Sequence, residues 1–550
     1  MKPVYTGRTA PCSAACPAGE DIPHLEHLAS RGRFREALES ILKENPFPSV
    51  CGHVCFHPCE SACNRSHLDA ALAIHALERF VGCWGTKEKI PPSIQTAPTN
   101  GRHVAVIGSG PSGLSAAYFF RRLGYRCDVY ESEKEPGGLL RWGVPSYRLP
   151  TAILKHEIER IENLGARIYC GRKVSASFLQ TAAERYHAVF VGCGLARPIR
   201  MQIQGDAQAL DGLTFLKDVR KGSKDVFSGV SAVIGGGNTA IDGARSLVRL
   251  GSHPIIFYRR RIEDMPALGE EIVLAQQEGV EIRELTIPAR MDKDARGITL
   301  QLQKMVTDGF DPGSNRVRVI PIQGGQETLP VQRVFTAIGA EVENLWQQTE
   351  HESCLHLSHC TLTNDGIPVA HGGDLVNQVL SVSDAVASGK QAAMAIDSCF
   401  KDGWAFVEKK LAGCRVGQGP ALSMESYLMN DVFQQRHPQI VGYHEINTAY
   451  FIPADRTEPM VEGPEERRAS FSDYRSDFTT RSASDEADRC FNCGICNDCD
   501  NCRLFCPETA VIVEDTRKID MDYCKGCGIC VVECPRGAMT LEEAEHETGS

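Results

Sequence analysis

Residues 103–131 read HVAVIGSGPSGLSAAYFFRRLGYRCDVYE. His103 to Ile107 is a short apolar run with the pattern of a buried strand. Gly108-Ser-Gly110-Pro111-Ser-Gly113 follows at once, then a helical run from Leu114 to Leu123. A second strand-like run ends on Glu131, 18 residues beyond Gly113. Gly108 allows the tight turn, and Gly110 lets backbone approach a pyrophosphate at the helix N-terminus. Gly113 lets helix and strand pack closely, and Glu131 is placed for ribose hydroxyls. Gly108, Gly110, Pro111, Gly113 and Glu131 are therefore candidate dinucleotide-binding residues in a Rossmann-like unit.

Two further elements favour FAD at this first site. Gly137-Gly138-Leu139-Leu-Arg-Trp-Gly-Val-Pro145 follows the acid closely. Far downstream, Gly372-Gly373-Asp374 precedes a helical run from Ser383 to Ile396. Asp374 is placed either to hold a ribityl hydroxyl or to cap the helix.

A second unit starts at Ala232-Val-Ile234, continues through Gly235-Gly-Gly237-Asn238-Thr239-Ala240, and runs helically to Leu250. The next apolar run, Pro254 to Tyr258, ends in Arg259-Arg260-Arg261 rather than an acid, 24 residues after Gly235. An acid there repels a 2′-phosphate, whereas arginine binds it bidentately. The expectation is NADPH over NADH. A solvated charge run at a strand end is the blander alternative.

Cysteine is the unusual component: 24 in 550 residues, six within 12–63 and ten within 490–534. Cys496-x2-Cys499-x2-Cys502-x3-Cys506-Pro and Cys524-x2-Cys527-x2-Cys530-x3-Cys534-Pro each match the bacterial ferredoxin run, whose fourth cysteine ligates the other cluster. The expected [4Fe–4S] sets are Cys496, Cys499, Cys502 and Cys534, and Cys524, Cys527, Cys530 and Cys506. Zinc competes weakly against two complete runs. Cys490 and Cys493 are surplus to these eight, either alternative ligands or ordinary thiols. At the other end, Cys12-x3-Cys16-Pro and Cys51-x3-Cys55-x3-Cys59-x3-Cys63 build one cluster, or two with non-cysteine help. The eight scattered cysteines read as small packing hydrophobes.

The remaining composition excludes other classes. Hydrophobic residues are 42% and charged residues 23%, ordinary for a folded protein. Met1 to Cys16 lacks the apolar stretch of an export signal, and no apolar run nears the ~20 residues of a membrane span. The chain is expected to be cytoplasmic, with metal-binding rather than bridged cysteines. The net charge is −11, of which residues 485–550 carry −9. No basic patch suggests nucleic acid. The acidic end fits docking to a partner or simple solvation.

Cys16-Pro-Ala-Gly, Cys51-Gly-His-Val-Cys55, the Gly137–Pro150 stretch, and Gly235-Gly-Gly-Asn-Thr-Ala-Ile-Asp242 with Tyr258-Arg-Arg and Glu263-Asp-Met-Pro266 resemble the small (beta) subunit of glutamate synthase. Its wider family includes the NADPH-binding half of dihydropyrimidine dehydrogenase. The resemblance covers about residues 10–400. It implies FAD at Gly108, Gly110, Gly113, Glu131, Gly138, Leu139, Gly373 and Asp374. It implies NADPH at Gly235, Gly237, Asn238, Thr239, Arg259 and Arg260. It also implies a cluster near the flavin held by Cys16, Cys55, Cys59 and a group at Glu78, a position that otherwise reads as a solvated helix face. The family's upstream Cys-x2-Cys is replaced here by Val4 and Gly7, which leaves Cys12 and Cys63, with Cys51, for a second N-terminal cluster.

The expected fold is α/β, with two Rossmann-like domains for FAD and NADPH. A helical iron–sulfur domain precedes them and a small α+β ferredoxin domain follows. The expected division is 1–98 helical iron–sulfur, 99–215 with 330–400 FAD, 216–329 NADPH, 401–484 connector and 485–550 ferredoxin. Function follows as hydride transfer from NADPH to FAD and single-electron transfer through [4Fe–4S] clusters, with no acid/base residue required. The acceptor is a partner redox subunit or ferredoxin in a hetero-oligomer, docking near the acidic end. The alternatives are a non-catalytic relay or assembly subunit with an idle nucleotide site, and a flavin disulfide reductase. The latter needs a cysteine pair that Glu131–Pro150 lacks.

Overall fold

The computed structural model describes residues 1–88, 92–175, 177–223, 225–294, 297–310, 316–343, 354–364, 366–429, 437–514 and 517–543. A seven-stranded sheet forms the centre. Its order is Cys354–His356, Cys360–Asn364, Pro368–Gly372, Ala188–Val191, His103–Ile107, Arg126–Tyr130 and Ala166–Tyr169. The last five strands run parallel. His103–Ile107 is fully covered after its first residue, as a parallel strand with helices on both faces requires. Helices Pro111–Arg122 and Val382–Lys401 lie together on one face. Their approach depends on Gly389, whose Cβ would stand 2.2 Å from the Ser112 carbonyl oxygen.

The chain leaves this sheet after Val191 and returns at Cys354. Between them lies a second parallel sheet, ordered Glu281–Arg283, His253–Phe257, Val230–Ile234, Arg333–Thr336 and Leu210–Asp211. Two strands of this sheet, Leu210–Asp211 and Arg333–Thr336, lie outside the 216–329 span expected for the second unit. Arg333–Thr336 pairs with Val230–Ile234, setting Phe335 against Val233, and Leu210–Asp211 joins its free edge. A three-stranded antiparallel sheet, Thr286–Asp294, Gly297–Phe310 and Val317–Val331, was not anticipated. Its Met291, Leu300 and Leu302 pack on Ala232 and Ile234.

The N-terminal region is helical: Ile22–Ser30, Phe34–Leu42, Pro48–Val54 and Ile74–Lys87. The pattern over 70–81 predicts a helix, yet the helix starts at Ile74. The Ala70 and Ala73 N–H groups donate to the Asp69 and Glu486 carboxylates at 2.6 and 2.9 Å. Glu486 belongs to helix Thr480–Asp488, whose Ala483 and Ala487 complete the N-terminal core around Leu25, Leu28, Phe34 and Leu77. The chain's later segments therefore fold back onto its beginning. Phe451–Pro459, in between, forms neither helix nor strand.

The C-terminal unit holds helices Asn501–Leu504 and Ile529–Val532 and the hairpin Val511–Val513 with Arg517–Ile519. Its last strand, Met539–Glu542, pairs antiparallel with Lys2–Tyr5, so the first residues of the chain close the edge of its last unit. Among the described residues no helix is long and apolar enough to cross a membrane.

Candidate functional site

The first glycine loop has the geometry its sequence requires. Gly108 has φ +95°, and a Cβ there would meet the Gly192 carbonyl oxygen at 2.5 Å. At Gly113 a Cβ would lie 1.9 Å from the Gly108 carbonyl oxygen. Gly110 caps helix Pro111–Arg122, and a Cβ there meets nothing within 4 Å. That leaves open space over the helix N-terminus, where a pyrophosphate fits. Glu131 is buried, and its carboxylate accepts the Ser109 N–H at 3.0 Å and the Ser109 hydroxyl at 2.5 Å. The acid is thus locked to the loop. Gly138, φ +55°, sits with its Cβ position 2.7 Å from Gly110 Cα, and Leu139 is exposed beside it. Gly373 sits 2.5 Å, from its Cβ position, from the Ser112 hydroxyl, and its N–H donates to Ser388 Oγ at 2.7 Å. Asp374 follows, pushed up to about 6 by burial and by Asp384. Helix Val382–Lys401 is capped by Ser381, which accepts the Asp384 N–H at 3.1 Å, so capping is not the work of Asp374.

The second loop repeats the arrangement. Gly235 lies against the Ala337 carbonyl oxygen, and Gly237 caps helix Asn238–Arg249 with open space at its Cβ position. Asn238 Oδ1 accepts the Leu268 N–H at 3.1 Å, and Thr239 follows in the first turn. The three arginines diverge. Arg259 is exposed. Arg260 is buried, with Nε donating to the Val317 carbonyl at 2.5 Å. Arg261 pairs with Glu263 at 2.5 Å and Asp264 at 3.1 Å.

Helix Val382–Lys401 also reaches the N-terminal cysteines. Ser383, in its first turn, lies 3.6 Å from Cys55 Sγ. Both line a small cavity of about 20 Å³, together with Cys16, Cys51, Cys59, Glu20 and Glu78 among others. Cys51 thus stands with Cys16, Cys55 and Cys59, not with Cys12 and Cys63. Asn45 Nδ2 bridges Glu20 at 2.8 Å and Glu78 at 3.1 Å. Burial pushes the Cys16, Cys51 and Cys59 thiols and the Glu78 carboxyl well up. Thiols and acids crowded into one apolar cavity suit a cationic metal group that takes them deprotonated. Glu20, Asn45 and Ser383 carry no local sequence signal; only the fold brings them here.

In the C-terminal unit a similar cavity, also about 20 Å³, is lined by Cys506, Cys524, Cys527 and Cys530. The crosswise set expected from the two runs thus faces one space. Of the other set, Cys502 Sγ lies 3.0 Å from the Tyr5 hydroxyl, and Arg536 lies within electrostatic reach of Cys499 and Cys534. Tyr5 is another residue that only tertiary structure reveals.

Three family descriptions match the chain: dihydropyrimidine dehydrogenase domain II, 4Fe-4S cluster, at residues 5–90; pyridine nucleotide-disulphide oxidoreductase at 102–369; and 4Fe-4S binding domain at 517–540. The chain is 35% identical over 428 residues to the NADP(+)-dependent formate dehydrogenase subunit beta of Moorella thermoacetica, covering 72% of this chain and 60% of that one. It is 28% identical over 525 residues to the NADPH-Fe(3+) oxidoreductase subunit beta of Geobacter sulfurreducens, covering 88% and 75%. It is 32% identical over 402 residues to the NAD-dependent dihydropyrimidine dehydrogenase subunit PreT of Salmonella typhimurium, covering 70% and 90%.

Proposed function

The chain belongs to the NAD(P)H-dependent FAD and iron–sulfur oxidoreductase family, that of the PreT subunit whose length it spans to 90%, and on that premise we propose that it moves electrons between NADPH and a partner redox subunit. When bound, FAD exchanges a hydride with the nicotinamide and single electrons with [4Fe–4S] clusters. The chain's own residues bind and align these groups. Gly108, Gly110, Pro111, Gly113 and Gly138 cradle the FAD pyrophosphate, Glu131 holds its ribose, and Gly373 with Asp374 holds its ribityl chain. Gly235, Gly237, Asn238 and Thr239 take the NADPH pyrophosphate. Arg259, exposed beside the loop, takes the 2′-phosphate, while Arg260 supports the strand behind it. Cys16, Cys55 and Cys59 hold the cluster nearest the flavin, with Glu78 as fourth ligand and Cys51 on the same wall. The eight ferredoxin-run cysteines hold two more clusters.

The observation that carries this reading is helix Val382–Lys401. Its Ser388 fixes Gly373 at the flavin cradle, and its Ser383 touches Cys55 at the cysteine cavity. One helix thus touches both the Gly373 turn and Cys55, which supports a cluster beside the flavin. A partner subunit is supported by three relatives that are themselves named as subunits. The ferredoxin end is the proposed docking face, since Cys499 and Cys527 are exposed there with Leu504, Tyr523 and Val532. Anaerobic addition of NADPH to the holoprotein tests the reading. Bleaching of the flavin by NADPH, faster than by NADH, supports it; a flavin that stays oxidised with both nucleotides overturns it.

A further inference from the structure

Cys490 and Cys493 stand outside both ferredoxin runs, and Cys12 and Cys63 are left over by the flavin-side cavity. The fold joins these two remainders. Asn64, next to Cys63, donates from Nδ2 to Cys493 Sγ at 3.5 Å. Arg65 donates from Nη1 to the carbonyl of Arg489, next to Cys490, at 2.9 Å. Asn492 donates to the Pro23 carbonyl at 3.3 Å, which pins the loop from its other side. Cys12, on the turn Pro11–Ala15, lies within electrostatic reach of Cys63, Cys490 and Cys493. Cys12 and Cys493 are each only 8% exposed.

The backbone of this loop matches the ligating loops of the ferredoxin unit. In Cys490-x-Asn492-Cys493-Gly494 the third and fifth residues have φ of +48° and +78°. In Cys496-x-Asp498-Cys499-Asp500 they have +61° and +69°, and in Cys524-x-Gly526-Cys527-Gly528 they have +67° and +78°. Positive φ at a non-glycine residue is uncommon, so its repetition at Asn492, Asp498 and Asp500 marks one shared loop shape. The Asn492 N–H donates to Cys490 Sγ at 3.3 Å, as the Gly526 N–H does to Cys524 Sγ at 3.4 Å. Hydrogen bonds of this kind tune iron–sulfur centres. Glu26 is fully buried within electrostatic reach of Cys12, Cys63 and Cys490, and neither of its carboxylate oxygens has a hydrogen-bond partner. An orphaned acid of this sort signals a group that belongs beside it.

Zn–S bonds of about 2.3 Å place the sulfurs of one zinc ion about 3.8 Å apart. No three cysteine sulfurs among the described residues lie within 4.8 Å of one another. Among the described residues no cysteine trio is thus drawn in to the spacing of a single zinc ion.

We propose that Cys12, Cys63, Cys490 and Cys493 ligate one further [4Fe–4S] cluster, split between the start of the chain and the segment before the ferredoxin unit. The Cys-x2-Cys that Val4 and Gly7 fail to supply is supplied, at the same spacing, by Cys490 and Cys493. Val4 has a different task, pairing with Thr540 in the strand that closes the ferredoxin sheet. Cys12 and Cys63 are each four residues from a flavin-side cysteine, and Cys493 is three from Cys496. The centre thus joins the flavin-side cluster to the ferredoxin pair. Its role as a relay rests on the proposed function; the site itself rests on its own geometry.

Iron and sulfide counts on anaerobically purified holoprotein test it. The expected count is about 16 iron atoms per chain, four for each of four clusters. About 12 or fewer overturns the proposal. The Cys490→Ser/Cys493→Ser chain is expected to lose about four irons while keeping its flavin and its bleaching by NADPH. An unchanged count overturns the proposal and leaves the proposed function standing; loss of bleaching in wild type strikes the proposed function instead. Should the double variant not fold, the single Cys493→Ser is expected to alter one electron paramagnetic resonance signal of the dithionite-reduced protein. An unaltered spectrum overturns the site.

Discussion

Arg259 and Arg260 are neighbours in sequence and opposites in structure. Arg260 is buried and donates to the Val317 carbonyl, 57 residues away in the chain, while Arg259 is exposed. Arg259→Ala is therefore expected to lower kcat/KM for NADPH about tenfold to a hundredfold, the worth of one or two charge-assisted hydrogen bonds, with little change for NADH. Equal losses with both nucleotides would remove Arg259 from the 2′-phosphate site. Steric arithmetic is as direct at Gly113. A methyl group there meets the Gly108 carbonyl oxygen at 1.9 Å, so Gly113→Ala is expected to purify with little or no FAD. Absorbance of the purified protein gives the flavin-to-protein ratio; a full complement would contradict the account. The glycine loops were legible in sequence because strand, turn and helix lie within one short segment. The fate of Arg260 was not, because its acceptor sits on a strand of the unanticipated antiparallel sheet.

Helix Thr480–Asp488 and helix Pro464–Ala469 show what the connector does. The first completes the N-terminal core through Ala483 and Ala487. The second presents Arg467, whose Nε meets Glu278 at 3.0 Å, where Arg245 and Arg249 also converge. Burial alone would raise Glu278, but Arg245 and Arg249 outweigh it and hold the carboxyl at about 2. A carboxyl held below its ordinary value stabilises the fold above that value and loses the contribution as pH falls through the depressed one. Glu278→Gln is therefore expected to cost about 2 kcal/mol at neutral pH after allowance for screening. The gap to wild type should narrow between pH 4.5 and 2, read as thermal denaturation of the nucleotide domain in each variant. A gap unchanged on acidification would contradict the assignment. Neither attachment is legible in sequence, because the partners are remote: Glu278 lies 189 residues from Arg467, and Ala73, whose N–H the Glu486 carboxylate accepts, lies 413 residues from Glu486.

At the scale of the whole molecule, the chain folds its two cysteine-rich ends together. Lys2–Tyr5 closes the ferredoxin sheet, and the Cys490–Cys493 loop lies on Asn64 and Arg65. The two ferredoxin runs were visible in sequence, and their crosswise sets were expected because the fourth cysteine of such a run ligates the other cluster; Cys506, Cys524, Cys527 and Cys530 do line one space. The N-terminal sets were not visible in this way, since Cys51 joins Cys16, Cys55 and Cys59 only through tertiary packing. The proposed electron path runs without a break from nucleotide through flavin to the clusters. Rapid anaerobic mixing with NADPH, with samples frozen at intervals for optical and electron paramagnetic resonance spectra, tests it most directly. Flavin bleaching is expected first, followed by signals of reduced [4Fe–4S] clusters at the expense of the reduced flavin. Bleaching that persists while every cluster stays oxidised, in a protein whose clusters dithionite reduces, would contradict it.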